Sequence, residues 1–248
     1  MIRSILILAT AIAIQGNCGK PNDKTNAAAV NTNSVVIKVQ PSIKAEQEKF
    51  NVSDDKELLA KRFENKDPDT AVIIRDPKSK IERVSTPFLK NGRIYKVSKF
   101  APTRPVIIFL GVDDKELAVK LNANEAGYFE LADKGGLNIA NGDARIAYVL
   151  VFLETVIKKN GRLQVLDNIG QIKPRPNLDA EKQKEFAAFT AKFESIVKPP
   201  KSVEGGTVEL YVVKDQDLVK MSATVSVGGK IDIKETVLEK DLLIPYAM

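Results

Sequence analysis

Between residues 35 and 248 the chain is finely punctuated: short β-branched runs, each closed by Gly, Pro or Asn, alternate with stretches of helical periodicity. Such a pattern folds into small elements that must cover one another's apolar faces, and it predicts an α+β domain with mostly antiparallel strands and three short helices. Sub-units are expected near residues 50–100, 104–170 and 177–240.

The first helix is expected at Ser53, which reads as an N-cap followed by Asp54, Asp55, Lys56 and Glu57, with acids where the helix dipole favours them. A second start is read at Asp113-Asp114-Lys115-Glu116-Leu117, leading on to Leu121. The third and longest follows Asn177, where Phe186, Phe189, Phe193 and Val197 recur at spacings of three and four and form one apolar stripe. It ends before Pro199-Pro200, since the residue preceding a proline is pushed out of the helical region.

Asn-Gly between β-branched or aromatic flanks supplies the positive φ values of a two-residue hairpin turn, so hairpins are expected at Asn91-Gly92 and Asn160-Gly161. Gly228-Gly229 is read as a third. The run Ile146 to Ile157, apolar on both faces, predicts a central strand covered from two sides.

In order, these signals give a helix, a strand and a strand paired through a Gly turn three times. Asp54–Leu58 and Asp113–Leu117 both read DDKEL, and Lys90–Arg93 and Lys159–Arg162 both read KNGR. An array of three helix-plus-β-hairpin units would produce such echoes, and so would helix starts and turns that draw on the same few residues.

The N-terminus has a different composition. Met1-Ile2-Arg3 gives a positive start, and Ile5 to Ile14 is an uncharged run of ten, too short to span a bilayer and suited to the apolar region of a signal peptide. Gln15-Gly16-Asn17-Cys18 follows, and Cys18 is the only cysteine. These residues resemble a bacterial lipoprotein precursor of the looser, spirochaete type, with Gln15 and Asn17 where Leu and a small residue are usual. The resemblance covers residues 1–18 and implies that 1–17 are a signal peptide, that Cys18 accepts lipid, and that the protein sits in the cell envelope, at the outer membrane rather than the inner. The other outcome is a plain secreted protein cut after Ala11-Ile12-Ala13, with Cys18 left as a free thiol. Residues 18–34, rich in Asn, Ala, Lys and Thr, bury too little to offset their ordering entropy and read as a flexible tether. Residues 35–248 form the globular domain.

The absence of His removes Ser-His-Asp and Cys-His catalysis, HExxH chemistry, zinc fingers and haem on a proximal His. Ser53-x-x-Lys56 and Ser195-x-x-Lys198 lack the companion motifs of penicillin-recognising enzymes, and no phosphate-cradling or nucleophile-elbow motif occurs. The loop Asp133 to Asp143 collects oxygen donors and glycines but lacks EF-hand spacing, and Lys134 opposes a cation. No catalytic, cofactor or metal-ligating residue is assigned. Net charge is +6, spread as interspersed Lys, with no basic run of five and no Trp. Nucleic acid is not an expected partner, whereas a membrane, another envelope protein or an anionic host glycan is. A non-enzymatic structural or binding role is expected, with a hydrolase using paired carboxylates as the alternative and a lipid carrier as a third idea.

Overall fold

The computed structural model describes residues 52–100, 105–158 and 162–246. The signal region, Cys18, the spacer and the turn at Asn160-Gly161 lie outside the described residues.

Two helices come first. α1 (Val52–Glu64) packs against α2 (Pro68–Arg75), whose first turn is fixed by Pro68 and by the Asp67 carboxylate accepting the Thr70 N–H at 3.0 Å. Asp67 also accepts the Thr70 hydroxyl, and these bonds hold its carboxyl below the usual range. A meander follows: β1 (Ser79–Val84), β2 (Gly92–Lys99), β3 (Val106–Asp113) and β4 (Ala118–Lys120) form an antiparallel sheet in chain order. The period of two divides its faces. Val97, Ile108, Leu110 and Val112 face Leu59, Phe63, Ala71 and Ile74 of α1 and α2, while Val84, Ile94 and Phe109 face the other way.

On that other face lie α3 (Glu125–Lys134) and α4 (Gly142–Phe152), the latter continued by a wider π-type turn through Ile157. A second antiparallel sheet closes over them. It holds β5 (Leu163–Leu166), β6 (Lys201–Val203), β7 (Thr207–Lys214), β8 (Asp217–Val225) and β9 (Ile231–Glu239), in the order β5-β7-β8-β9, with β6 also pairing β7. Val208, Leu210, Val212, Val219, Met221 and Ala223 point at α4. On the outer face Phe193 of α5 (Ala180–Phe193) and Val197, just beyond it, cover Leu166, Val213 and Leu218, and Leu242 and Ile244 complete that cluster. The middle helices are therefore held between two sheets, the first backed by α1 and α2 and the second by α5.

The α+β class with antiparallel sheets is as expected, but the described residues hold five α-helices rather than three. Three local expectations are corrected. Ile146–Ile157 is the buried helix α4 and its extension, not a strand; a run apolar on every side has lost the polar face that separates a period of 3.6 from one of 2. Asp113–Leu117 is the tip of the β3–β4 hairpin, not a helix. The buried Asp113 carboxylate accepts the N–H groups of Lys115 and Leu117 at 2.9 and 2.8 Å, and Arg62 of α1 donates to the Asp113 and Leu117 carbonyls. The same pentapeptide at Asp54–Leu58 is helical, so the echo is not a repeat of structure. Asn91-Gly92 is no two-residue turn, because residues 85–91 all lie between β1 and β2. Gly92 is small for another reason: a Cβ there would come within 3.2 Å of the Gly135 backbone.

A hairpin does join β8 to β9 at this point, but through the five residues 226–230, with Gly229 at φ +81° and Gly228 not at positive φ, and not through a two-residue Gly228-Gly229 turn. α5 begins after Asp179, whose carboxylate accepts the Lys182 N–H at 2.8 Å, and its Phe186, Phe189 and Phe193 rings follow one another in tilted contact with centroids 5.7 and 5.3 Å apart.

Candidate functional site

The register of the first sheet places Glu82 of β1, Lys96 of β2 and Phe109 of β3 side by side on the face turned towards α4. Where α4 passes into its π-type turn it brings Val151, Glu154 and Thr155 opposite them. The result is a cleft of about 250 Å³ with Glu82 and Lys96 on one wall, Glu154 on the other and Phe109, Val84 and Val151 as its apolar floor. Two carboxylates from separate elements thus line one cleft, with a lysine that makes no ion pair to another described residue.

Each carboxylate already has a neighbour of opposite charge: Lys80 Nζ lies 2.8 Å from Glu82 and Lys158 Nζ 3.0 Å from Glu154. The Thr155 hydroxyl donates to the Val151 carbonyl at 2.8 Å, so its proton is engaged within the helix. The cleft is polar at its walls and nearly neutral, suited to a small amphipathic group.

A second, larger cavity of about 310 Å³ is formed by the end of β1, the connection 85–91 and the start of β2. Among the described residues its lining includes Arg83, Lys90 and Arg93 and no acid. Arg93 pairs at 2.7 Å with Asp114, which stands outside the lining. A third, of about 250 Å³, lies between Phe186, Phe189 and Lys192 of α5 and the segment after β9.

Among the described residues no three His, Cys, Asp or Glu side chains gather as a metal site, and no helix is long and apolar enough to cross a membrane. The Asp133–Asp143 loop runs from the last residues of α3 to the start of α4. Its Asn141 caps α4, accepting the Ala144 N–H at 2.7 Å, and its Asn138 N–H donates to Phe88. Ser195 and Lys198 fall in the turn and extended segment after α5. Cys18, the one site residue expected, lies outside the described residues. Glu82, Lys96 and Glu154 were not singled out by the sequence reading; the alternation in β1 and β2 carried the signal for the first two, and Glu154 stayed hidden while its segment read as a strand.

The described residues define an α+β protein of two antiparallel sheets around a central helical layer. Compared with family models, curated proteins and solved structures, the chain matches none.

Proposed function

We propose that this chain is a bacterial envelope lipoprotein, acylated at Cys18, whose globular domain has a non-enzymatic binding role. The observation that carries the reading is the position of the sole cysteine, directly after a positively charged start and an uncharged run of ten. More than one acyl chain on such a cysteine makes membrane anchoring stable, each buried methylene contributing about 0.8 kcal/mol. The binding role draws support from β9: among the described residues this nine-residue strand pairs only with β8, so its other edge offers free peptide groups to a partner. Intact-mass measurement of protein taken from its native membrane, with detergent–water partitioning of a Cys18→Ala variant, tests the reading. A mature chain that starts at an acylated Cys18, and a variant that moves to the aqueous phase, are expected. An unmodified chain starting near Ile14 overturns it.

Glu82 and Glu154 in one cleft favour a second reading, the paired-carboxylate hydrolase. It requires turnover of fluorogenic glycosides that is lost in both Glu82→Gln and Glu154→Gln.

A further inference from the structure

We infer that the end of the first sheet at which β2 gives way to β3 is a membrane-contacting tip, which places Phe100, Val106 and Ile107 in the interface of an anionic lipid surface. These side chains are 74%, 37% and 42% exposed, and Phe100 is the one exposed phenylalanine among the described residues. β3 reads VIIFLGVD; its first two residues are exposed and the other six are buried. The strand thus stays apolar past the point where its helical cover stops. The register sets Val106 against Lys99 and Ile107 against Ser98, so the three apolar groups stand together at the strand ends. Alternation puts Val106 on the side of Ile108, towards α1 and α2, and Ile107 on the side of Phe109, towards α4, yet neither joins the apolar cluster there.

Size and charge select the partner. A stable protein interface takes about 800 Å² from each side, far more than three side chains at a hairpin end supply, so a second copy or another protein is the poorer fit. A lipid interface asks for less, since a protruding apolar group need sink only about 5–10 Å, to the boundary of headgroups and acyl chains. The surrounding stretch is also cationic: residues 83–112 contain six Lys and Arg and no Asp or Glu, where the chain's average would place about four acids. Asp76 and Asp114 reach Lys99 and Arg93 from outside that stretch and leave it with an excess of positive charge. Exposed apolar groups on a cationic hairpin complement a negatively charged headgroup layer.

The inference deepens the envelope-lipoprotein reading and rests on it for the membrane itself, but its test needs no acylation, which intact mass reads separately. The chain has no Trp, so Phe100→Trp in the full-length chain carrying Cys18→Ala holds the sole indole. Tyr246→Trp in the same background places the indole elsewhere, at an exposed ring beside Arg175. With phosphatidylglycerol vesicles, the Phe100→Trp emission is expected to shift to the blue and to be quenched by lipids brominated high on their acyl chains, while Tyr246→Trp shows neither effect. Adding Ile107→Ser should weaken the partition about tenfold, as the loss of one buried aliphatic side chain implies. Phosphatidylcholine vesicles should bind at least tenfold more weakly than phosphatidylglycerol. All the substituted side chains are exposed, so the melting temperatures should stay at the wild-type value. Emission from Phe100→Trp that vesicles leave unchanged overturns the tip even where the protein floats with them, because the capture then belongs to another part of the chain. Equal quenching at both positions overturns it too. A blue shift that grows with protein concentration and needs no vesicles reassigns the tip to contact between copies, and equal affinity for both lipids overturns the preference for an anionic surface.

Discussion

The Tyr148 hydroxyl donates a 2.7 Å hydrogen bond to the Gly229 carbonyl, joining the middle of α4 to the β8–β9 turn 81 residues further along. Both are buried, and Tyr128 repeats the motif within the helical layer by donating to the Tyr148 carbonyl at 2.7 Å. With Phe88, Phe129 and Phe152 these rings form an edge-to-face and stacked cluster at centroid distances of 5.1 to 6.3 Å. Desolvation pushes both phenols well above their ordinary value, so they remain donors throughout the physiological range.

Tyr148→Phe keeps the ring but leaves the Gly229 carbonyl unsatisfied, and should cost about 1–3 kcal/mol in chemical denaturation. Gly229→Ala should cost more, because the position has φ +81° and the new methyl would sit 2.6 Å from Leu137 and 3.1 Å from the Tyr148 hydroxyl. If Gly229→Ala proves the milder change, the turn is not held as described.

Asn122 blunts the open end of β3. Its side chain accepts the Phe109 N–H at 2.7 Å and donates to the Ile107 carbonyl at 3.2 Å, in the place of a strand that β4 is too short to provide. Asn122→Ala should lower stability by about 1–2 kcal/mol. Hydrogen exchange should quicken at the Phe109 amide while the Leu210 and Val212 amides keep their protection.

Glu209 of β7 lies between Lys220 and Lys201, at 2.8 and 3.0 Å, and the hydrogen bond from Lys220, then that from Lys201, holds its carboxyl below the ordinary 4.5. A lowered folded-state value means stability that is present above the unfolded value and lost as pH falls through the folded one. The melting temperature of Glu209→Gln should therefore lie below wild type at pH 7, and the gap should close under acid, below about pH 4. A gap that persists at pH 2 would show that packing rather than charge is responsible.

Asp167, between β5 and the short 3₁₀ turn at Ile169–Gln171, has the opposite sign. Partial burial raises its carboxyl above 3.8, against the lowering effect of the hydrogen bond from Gln171. The folded state holds that proton more tightly, so ionisation above the folded value opposes folding. Asp167→Asn should raise the melting temperature at pH 7 and make no difference near pH 3. Thermal melts across that range read the sign directly.

What the sequence made legible follows from where each determinant sits. α5 was readable because it lies on the surface, where one apolar stripe of Phe186, Phe189 and Phe193 contrasts with a polar remainder, and because Asp179 caps it locally. The β8–β9 hairpin was readable, though not its length, because Gly229 stands where the backbone needs a positive φ. α4 was not, since burial between two sheets removes the contrast that periodicity depends on. Nor was the fate of the second DDKEL, because Asp113 serves a helix start or a turn equally well, and Arg62, 51 residues away, holds the turn at both its ends. α2 and α3 did carry local signals, Asp67-Pro68 and Asn124, that the reading passed over. The Glu82, Lys96 and Glu154 cleft depends on strand register and on the placement of α4, neither of which is local.

The order of the layers is very nearly the order of the chain: α1 and α2, the first sheet, α3 and α4, then the second sheet with α5 on its outside. A chain emerging vectorially, N-terminus first, therefore completes one layer before it needs the next, and each newly extruded segment meets an apolar surface already made. β5 and α5 must wait, since β7 and β8, which β5 pairs with or α5 covers, follow them in the chain. Such a succession keeps most strand edges exposed only briefly while the chain folds from its N-terminal end.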